Sequence, residues 1–196
     1  MGIEKIDYVS LQDYLRTERS TDTKYEYHDG QLFAMAGGTI AHSLICGNSH
    51  TALDNAAEDR GTCVAFNSEM KVEIRPNGKY VYPDAGLACP TLDESKHLTG
   101  AITNPCVIVE VTSSDSGDYD RGQKMFNYFA LPSVQEYLLI DQEEPFVTVY
   151  RRRGDLMRID YYRGLETTIP IEALNRSITM KRLYRNVKFP PKKDEK

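Results

Sequence analysis

The chain has 196 residues, of which 40% are apolar and 27% charged, and its net charge is -5. This length suits one domain with a sizeable core. The negative charge argues against strong non-specific affinity for nucleic acid, which requires many phosphate contacts from Lys and Arg. The most apolar window, residues 105–111, is too short to cross a bilayer, and the N-terminal residues lack the apolar core of a signal peptide. We therefore expect a soluble, cytoplasmic protein that does not associate with membranes.

The first half of the chain alternates helical and strand patterns. Ser10 is a capping residue at a helix start, and Asp29-Gly30 predicts a tight turn between two short strands. Apolar residues at helical spacing predict a second helix over residues 39–60, which Gly61 ends. Strands are then expected over 62–66, 69–75 and 80–88.

The second half contains the most apolar strand, residues 106–111, and such a continuous run is typical of a central strand covered on both faces. A loop over 112–119 precedes a helix over about 119–130. We expect one α/β (α+β) domain over residues 1–189 and a disordered charged tail over 190–196. The remaining strands are predicted over 134–141, 146–151 and 156–162.

The four cysteines show no metal-binding motif. They form no CxxC pair, and we find no histidine near them at zinc spacing. Because no export signal is evident, we expect reduced, mostly buried thiols rather than disulfides. The residues concerned are Cys46, Cys63, Cys89 and Cys106.

The strand predicted over 69–75 contains a Glu-x-Lys triplet that resembles a catalytic pair. Glu69, Lys71 and Glu73 alternate with apolar residues, as on the wet face of an amphipathic strand. The triplet also precedes Pro83-Asp84 instead of following it. We therefore interpret it as a solvated face.

Two acids, Asp84 and Glu110, stand at the ends of segments predicted to be buried strands. Burying a lone carboxylate is costly unless it is paired, hydrogen-bonded or bound to a metal. Mg²⁺ or Mn²⁺ would accept such oxygen ligands and would act on a phosphoryl group. For either acid alone, a simple exit from the core is the better interpretation, but the pair favours a metal site.

The helix after Glu110 carries Asp120, Lys124 and Tyr128 at i, i+4 and i+8, hence on one face. A lysine near a metal can position water or stabilise developing negative charge. The alternative is an ordinary surface pair of Asp120 with Lys124. Glu26 could reach the metal or its water, and His42, near a helix start, could contact a phosphate. An exposed strand glutamate and a structural histidine are equally good interpretations of those two.

The order and spacing of these motifs resemble the PD-(D/E)xK nuclease superfamily, with its restriction-endonuclease-like fold. They more closely resemble the bacterial Uma-type family of predicted endonucleases, formerly a domain of unknown function. The resemblance covers about residues 8–189, and Leu138 stands where the family usually has Trp. The matching segments are Glu26-Tyr27-His28-Asp29-Gly30, Ala41-His42-Ser43, Tyr82-Pro83-Asp84, Val109-Glu110-Val111-Thr112-Ser113, Asp120-Arg121-Gly122-Gln123-Lys124 with Tyr128, and Val134-Gln135-Glu136-Tyr137 with Ile140-Asp141.

The resemblance implies a mixed β-sheet flanked by helices and Mg²⁺- or Mn²⁺-dependent hydrolysis of DNA. It implies that Asp84 and Glu110 bind the metal and that Glu26 supports the metal shell. Thr112 occupies the place of the superfamily lysine, so Lys124 from the next helix would orient or activate water. Further groups would contact the substrate or support the ligands: His42, Asp120, Tyr128 and Thr112.

Two alternatives remain open at this point. One is a catalytically inactive nucleic-acid-binding or scaffold protein of the same fold, which the negative charge and Thr112 favour. The other is a nuclease for RNA or for branched or damaged DNA. Nucleases of this fold often form dimers to cut two strands, so a homodimer is also an expectation.

Overall fold

The computed structural model describes residues 8–21, 23–35, 38–58, 61–74, 78–112 and 120–191, without the side chains of residues 120 and 121. Residues 113–119 of the loop predicted over 112–119, and the last five residues of the predicted tail, lie outside the described residues. The domain bounds, 1–189, stay a prediction. Among the described residues, no helix combines the length and the apolarity that a bilayer crossing requires.

The helices begin close to where the capping residues predict. Ser10 caps α1, and its hydroxyl accepts a hydrogen bond from the Asp13 amide, while Thr39 caps α2 in the same way. The predicted helix over 119–130 is a π-helical turn, Asp120–Lys124, followed by a short α-helix. The α-helices are α1 (Leu11–Ser20), α2 (Ile40–Ala57), α3 (Met125–Phe129) and α4 (Met180–Leu183), and a 3₁₀ turn spans Glu172–Leu174.

The strands confirm most of the expected pattern and add a pair near the C-terminus, Thr168–Ile171 with Arg176–Thr179. In chain order they are β1 (Tyr25–His28), β2 (Gln31–Ala34), β3 (Val64–Asn67), β4 (Lys71–Ile74), β5 (Lys79–Val81), β6 (Ala85–Ala88), β7 (Ala101–Ile102), β8 (Pro105–Thr112), β9 (Glu136–Asp141), β10 (Phe146–Arg153), β11 (Leu156–Arg163), β12 (Thr168–Ile171) and β13 (Arg176–Thr179).

Two sheets make up most of the fold. A five-stranded sheet has the order β2-β1-β5-β4-β7, and a six-stranded sheet has the order β11-β10-β9-β8-β6-β3. Each contains one parallel pair, β4 with β7 and β8 with β9, among antiparallel pairs. Mixed sheets flanked by helices therefore confirm the predicted class.

The buried apolar side chains form three clusters. Ile45 and Leu53 of α2 pack with Val107 and Val109 on one face of the six-stranded sheet. The other face of that sheet packs against the five-stranded sheet and α3, through residues such as Ile108. A tyrosine cluster, Tyr14, Tyr27 and Tyr80, fixes α1 to the five-stranded sheet. Strand β8 is thus covered on both faces, as its apolar run predicts.

The segment predicted as one strand over 80–88 is divided between the two sheets. Strand β5 ends at Val81 in the five-stranded sheet, and β6 begins at Ala85 in the six-stranded sheet. Tyr82, Pro83 and Asp84 form the break. Proline suits such a break because it cannot donate a ladder hydrogen bond. Asp84 therefore lies where the two sheets meet.

The prediction of a solvated face on β4 is wrong for two of its three residues. Lys71 and Glu73 are buried, whereas Glu69, before the strand, is exposed. Lys71 forms an ion pair with Glu18 of α1, and Glu73 accepts a hydrogen bond from Ser95. Distant parts of the chain cover this face and neutralise its charges, which strand periodicity cannot reveal.

The expectation of reduced thiols is wrong for Cys63 and Cys89, which form a disulfide with a Cα–Cα distance of 4.4 Å. The register explains the pairing. Val64 is opposite Ala88, and continuing this antiparallel register puts Cys63 opposite Cys89. The sequence separation of the cysteines gave no sign of this proximity.

Candidate metal and active site

Three buried carboxylates from separate segments meet at the junction of the sheets. Glu26 lies on β1, Asp84 in the break before β6, and Glu110 within β8. Ala85 pairs with Val109, and continuing this antiparallel register puts Asp84 opposite Glu110. Glu110 does not close its strand as expected, since β8 continues to residue 112.

The Asp84 carboxylate is held by the neighbouring strand and by α2. The Val111 amide donates to Asp84 Oδ2 at 2.7 Å, and His42 Nε2 lies 3.4 Å from the same oxygen. Burial alone would raise the pKa of Asp84, but the hydrogen bond with His42, the charges of His42 and Lys124, and the Val111 amide lower it below its ordinary value. Asp84 is therefore ionised at neutral pH.

Glu110 is bound by two side chains that follow it in the chain. Lys124 Nζ lies 2.9 Å from Glu110 Oε2, and the Tyr128 hydroxyl donates to Glu110 Oε1 at 2.8 Å. Burial, and then the charge of Glu110, raise the pKa of Tyr128 well above its ordinary value. Tyr128 is thus a neutral donor, and the i, i+4 spacing puts both groups on the same carboxylate.

Glu26 completes the cluster from the five-stranded sheet. Its Oε1 accepts the Tyr82 amide at 3.1 Å and lies 3.7 Å from Lys124 Nζ, while its Oε2 is 3.1 Å from His28 Nε2. Burial would raise the pKa of Glu26, but Lys124, His28 and the Tyr82 amide together lower it. No pattern in the sequence singles out His28 beyond its place in the hairpin motif.

Each carboxylate of this cluster contacts a side-chain nitrogen. Lys124 Nζ lies near both Glu110 and Glu26, while His42 lies against Asp84 and His28 against Glu26. Carboxylate oxygens are the donors that Mg²⁺ and Mn²⁺ prefer. Asp84 and Glu110 therefore offer the kind of donor that a hard divalent cation binds.

A histidine and a cysteine that the sequence did not connect lie beside Asp84. His42 and Cys46 are one turn apart on α2, and Cys46 Sγ is 3.4 Å from His42 Nδ1. One donor atom each from His42, Cys46 and Asp84 lies within 4.8 Å of the others. The i, i+4 spacing of His42 and Cys46 on the predicted second helix is the signal that the sequence offers for this pair. Burial, and then Asp84, raise the pKa of the Cys46 thiol well above its ordinary value.

Of two further residues predicted to belong to the site, the structure describes Thr112 but not the side chain of Asp120. Thr112 is buried at the end of β8, and its carbonyl accepts the Gln142 amide at 3.0 Å. The side chain of Asp120 lies outside the described residues, so its predicted role is neither supported nor opposed. The other predicted residues are brought together around Asp84 and Glu110.

A cleft of about 370 Å³ runs along α2 and reaches Asp84. His42, Cys46 and His50 line it from successive turns of the helix, and Asp84 lies at its wall. The remaining lining residues are Met35, Gly38, Ser43, Gly47, Asn67 and Ser68.

Comparisons with known proteins identify relatives along nearly the whole chain. The protein is 32% identical over 183 residues to the uncharacterized protein slr1290 of Synechocystis sp., covering 92% of this chain and 94% of the relative. It is 32% identical over 155 residues to the uncharacterized protein sll1609 of the same organism, covering 79% and 87%.

A solved structure shares the fold. The crystal structure of "a putative nuclease" from Anabaena variabilis superposes with a TM-score of 0.70, at 16% identity, over 90% of this chain and 97% of that one. The model of the Uma2 family, described as "Putative restriction endonuclease", matches residues 11–181. The chain therefore belongs to the Uma2 family, as its motifs predict.

Proposed function

We propose that this protein is an endonuclease that hydrolyses DNA phosphodiester bonds with Mg²⁺ or Mn²⁺. The observation that carries the proposal is that the buried carboxylates Glu26, Asp84 and Glu110 come together at the junction of two sheets, where Lys124 contacts Glu26 and Glu110. Family membership and the fold of the Anabaena variabilis structure support a nuclease-like function. DNA as the substrate and the metal requirement belong to the proposal.

In this proposal Asp84 and Glu110 hold the cation, and Glu26 supports the metal shell from the other sheet. When bound, the cation would neutralise charge on the phosphoryl group and lower the pKa of a bound water. The Val111 amide fixes the orientation of Asp84, and Tyr128 fixes that of Glu110. Strand β8 and the break before β6 therefore hold the ligands in place before substrate arrives.

Lys124 would act on the attacking water and on the charge that develops at the phosphoryl oxygens. Its ammonium group lies between Glu110 and Glu26, at 2.9 and 3.7 Å, so it is kept close to the metal ligands. His42, at the mouth of the cleft and at the start of α2, would contact the DNA phosphate.

The test is cleavage of supercoiled and linear DNA by the purified full chain with Mg²⁺ or Mn²⁺. Asp84→Asn should lower the rate at least a hundredfold, because it removes a ligand charge while keeping the side-chain shape. Glu166→Gln is the matched control, since Glu166 is exposed and is not among the residues of the site. Equal cleavage by wild type and Asp84→Asn would refute the assignment and point to a contaminant.

One observation favours a second candidate, a nucleic-acid-binding or scaffold protein without catalysis. Both oxygens of Glu110 have partners within the protein, Lys124 and Tyr128, so this carboxylate is satisfied by side chains alone. A protein of this kind would shift DNA in a gel without cutting it. It would also show no rise in melting temperature with Mn²⁺, whereas a metal-dependent nuclease should show one.

A homodimer is part of the nuclease proposal, because two active sites are needed to cut both strands at once. Sedimentation of the protein with and without DNA would determine its assembly state. A strictly monomeric complex would limit the proposal to nicking of one strand.

A further inference from the structure

The His42–Cys46–Asp84 cluster has a chemistry that a site for Mg²⁺ does not require. Mg²⁺ selects oxygen donors, whereas imidazole nitrogen and cysteine sulfur select Zn²⁺ and similar ions. His42 and Cys46 lie on one face of α2, and Asp84 approaches from the sheet junction. The cluster thus combines one nitrogen, one sulfur and one oxygen donor.

The distances are close to those between ligands of a tetrahedral metal. Metal–donor distances of about 2.0–2.3 Å in a tetrahedral zinc site separate the donors by roughly 3.3–3.8 Å. His42 Nε2 lies 3.4 Å from Asp84 Oδ2 and 4.0 Å from Cys46 Sγ, and one donor atom of each residue lies within 4.8 Å of the others.

Two neighbouring features suit a bound ion. The cleft reaches all three donors, so a cation can enter and a water or substrate atom can occupy a fourth position. Gly38 packs against the imidazole, since a Cβ built there would lie 2.6 Å from His42 Nδ1. The missing side chain at this position leaves room for the ring to stand as it does.

We propose that His42, Cys46 and Asp84 form a binding site for a thiophilic divalent cation of the Zn²⁺ type, with an open coordination position toward the cleft. Cys46 binds as the thiolate and releases its proton to solvent on binding. Because Asp84 belongs to both ligand sets, this ion and the catalytic Mg²⁺ or Mn²⁺ exclude each other. That last statement rests on the proposed function.

Co²⁺ is a suitable probe because it takes the place of Zn²⁺ and absorbs light. Titration of chelator-treated full chain with Co²⁺ should produce a thiolate-to-cobalt charge-transfer band in the near ultraviolet, saturating at one ion per chain, and Zn²⁺ should abolish it. Cys46→Ala should lose the band and bind Co²⁺ at least tenfold more weakly. Cys106→Ala is the matched control, because Cys106 is the second free thiol and lies buried away from the cleft.

A wild-type protein without the band, or a band that survives in Cys46→Ala, would overturn the proposal. Loss of the band in Cys106→Ala with its retention in Cys46→Ala would assign it to the wrong thiol and overturn it equally. Circular dichroism would establish that both variants fold, and His42→Ala provides a second variant expected to weaken the binding of Co²⁺.

The exclusion is tested by following bound Mn²⁺ with electron paramagnetic resonance. Zn²⁺ should release Mn²⁺ from wild type, and Cys46→Ala should need at least tenfold more Zn²⁺ for the same release. Retention of Mn²⁺ at saturating Zn²⁺ would refute the shared ligand. Failure of Mn²⁺ to bind at all would count against the proposed function, while the cobalt band would still decide the thiophilic site.

Discussion

Lys124 Nζ lies 2.9 Å from Glu110 Oε2, so the cation beside the strand acid comes from a π-helical turn and not from the strand itself. In the order of the chain, Thr112 stands two residues after the acid, where the superfamily resemblance would put a lysine. The ammonium group reaches the carboxylate from a different backbone segment. The position of the π-helical turn therefore determines whether Lys124 can contact Glu110.

Replacing Lys124 by Met should lower the free energy of unfolding by about 3–5 kcal/mol, the usual cost of removing one partner of a buried ion pair. The variant leaves Glu26 and Glu110 without their shared cation. Urea unfolding in a chelating buffer measures the effect, and Lys181→Met, at an exposed position, is the control. Added Mn²⁺ should stabilise Lys124→Met more than wild type, and equal stability of the two variants would contradict this account.

Acid should destabilise the protein through Asp84 and Glu26. Their folded-state pKa values lie below the ordinary values of 3.8 and 4.5, so their contribution is fully present above those values and is lost as the pH falls through the lowered ones. The free energy of unfolding should therefore fall as the pH is lowered from about 5. In Asp84→Asn the decline should be shallower, and a slope identical to that of wild type would show that Asp84 is not held ionised.

Removal of the Tyr128 hydroxyl should cost stability and perturb the site. Tyr128→Phe takes away the hydrogen bond to Glu110 while keeping the ring, and hydrogen bonds to charged groups contribute about 1.5–3 kcal/mol. Thermal and urea unfolding measure the loss. Tyr161→Phe, on an exposed ring, should change stability by less than about 0.5 kcal/mol. An unchanged stability in Tyr128→Phe would mean that water replaces the lost hydrogen-bond donor.

A methyl group at position 38 should move His42. The Cβ of Gly38→Ala would lie 2.6 Å from His42 Nδ1, too close for the ring to keep its place beside Asp84. We expect at least a tenfold loss of Co²⁺ affinity, read from the charge-transfer band.

Gly47→Ala is the control for that change, because a Cβ there has no atom within 4 Å among the described residues. It lies inside α2, where alanine is favoured over glycine by about 0.8–1.0 kcal/mol, so it should raise stability and leave the Co²⁺ band unchanged. Equal loss of the band in both glycine variants would exclude a specific effect on His42.

Local patterns predicted much of the fold and of the candidate site. The Asp29-Gly30 turn is real, with both residues at positive φ, and it sets the hairpin that presents Glu26. The continuous apolar run over 106–111 predicted a strand covered on both faces, and β8 is buried in this way. These features depend on neighbours in the chain, which is why the sequence reveals them.

Features that depend on contacts between distant segments of the chain could not be predicted from local patterns. Lys71 is buried because α1 supplies Glu18, and Cys63 meets Cys89 because β3 and β6 are paired. The division of residues 80–88 between two sheets follows from how the sheets pack, and no periodicity in that segment marks it. The helical spacing of His42 and Cys46 is visible in the sequence, but their proximity to Asp84, which is distant in the sequence, is not.

The break at Tyr82-Pro83-Asp84 makes the carboxylate cluster a product of the whole fold. Glu26 belongs to the five-stranded sheet, while Asp84 and Glu110 belong to the six-stranded sheet and its margin. A newly made chain in which only one sheet has formed holds an incomplete set of ligands. Under the proposed function, cleavage therefore requires that both sheets have formed and have packed against each other.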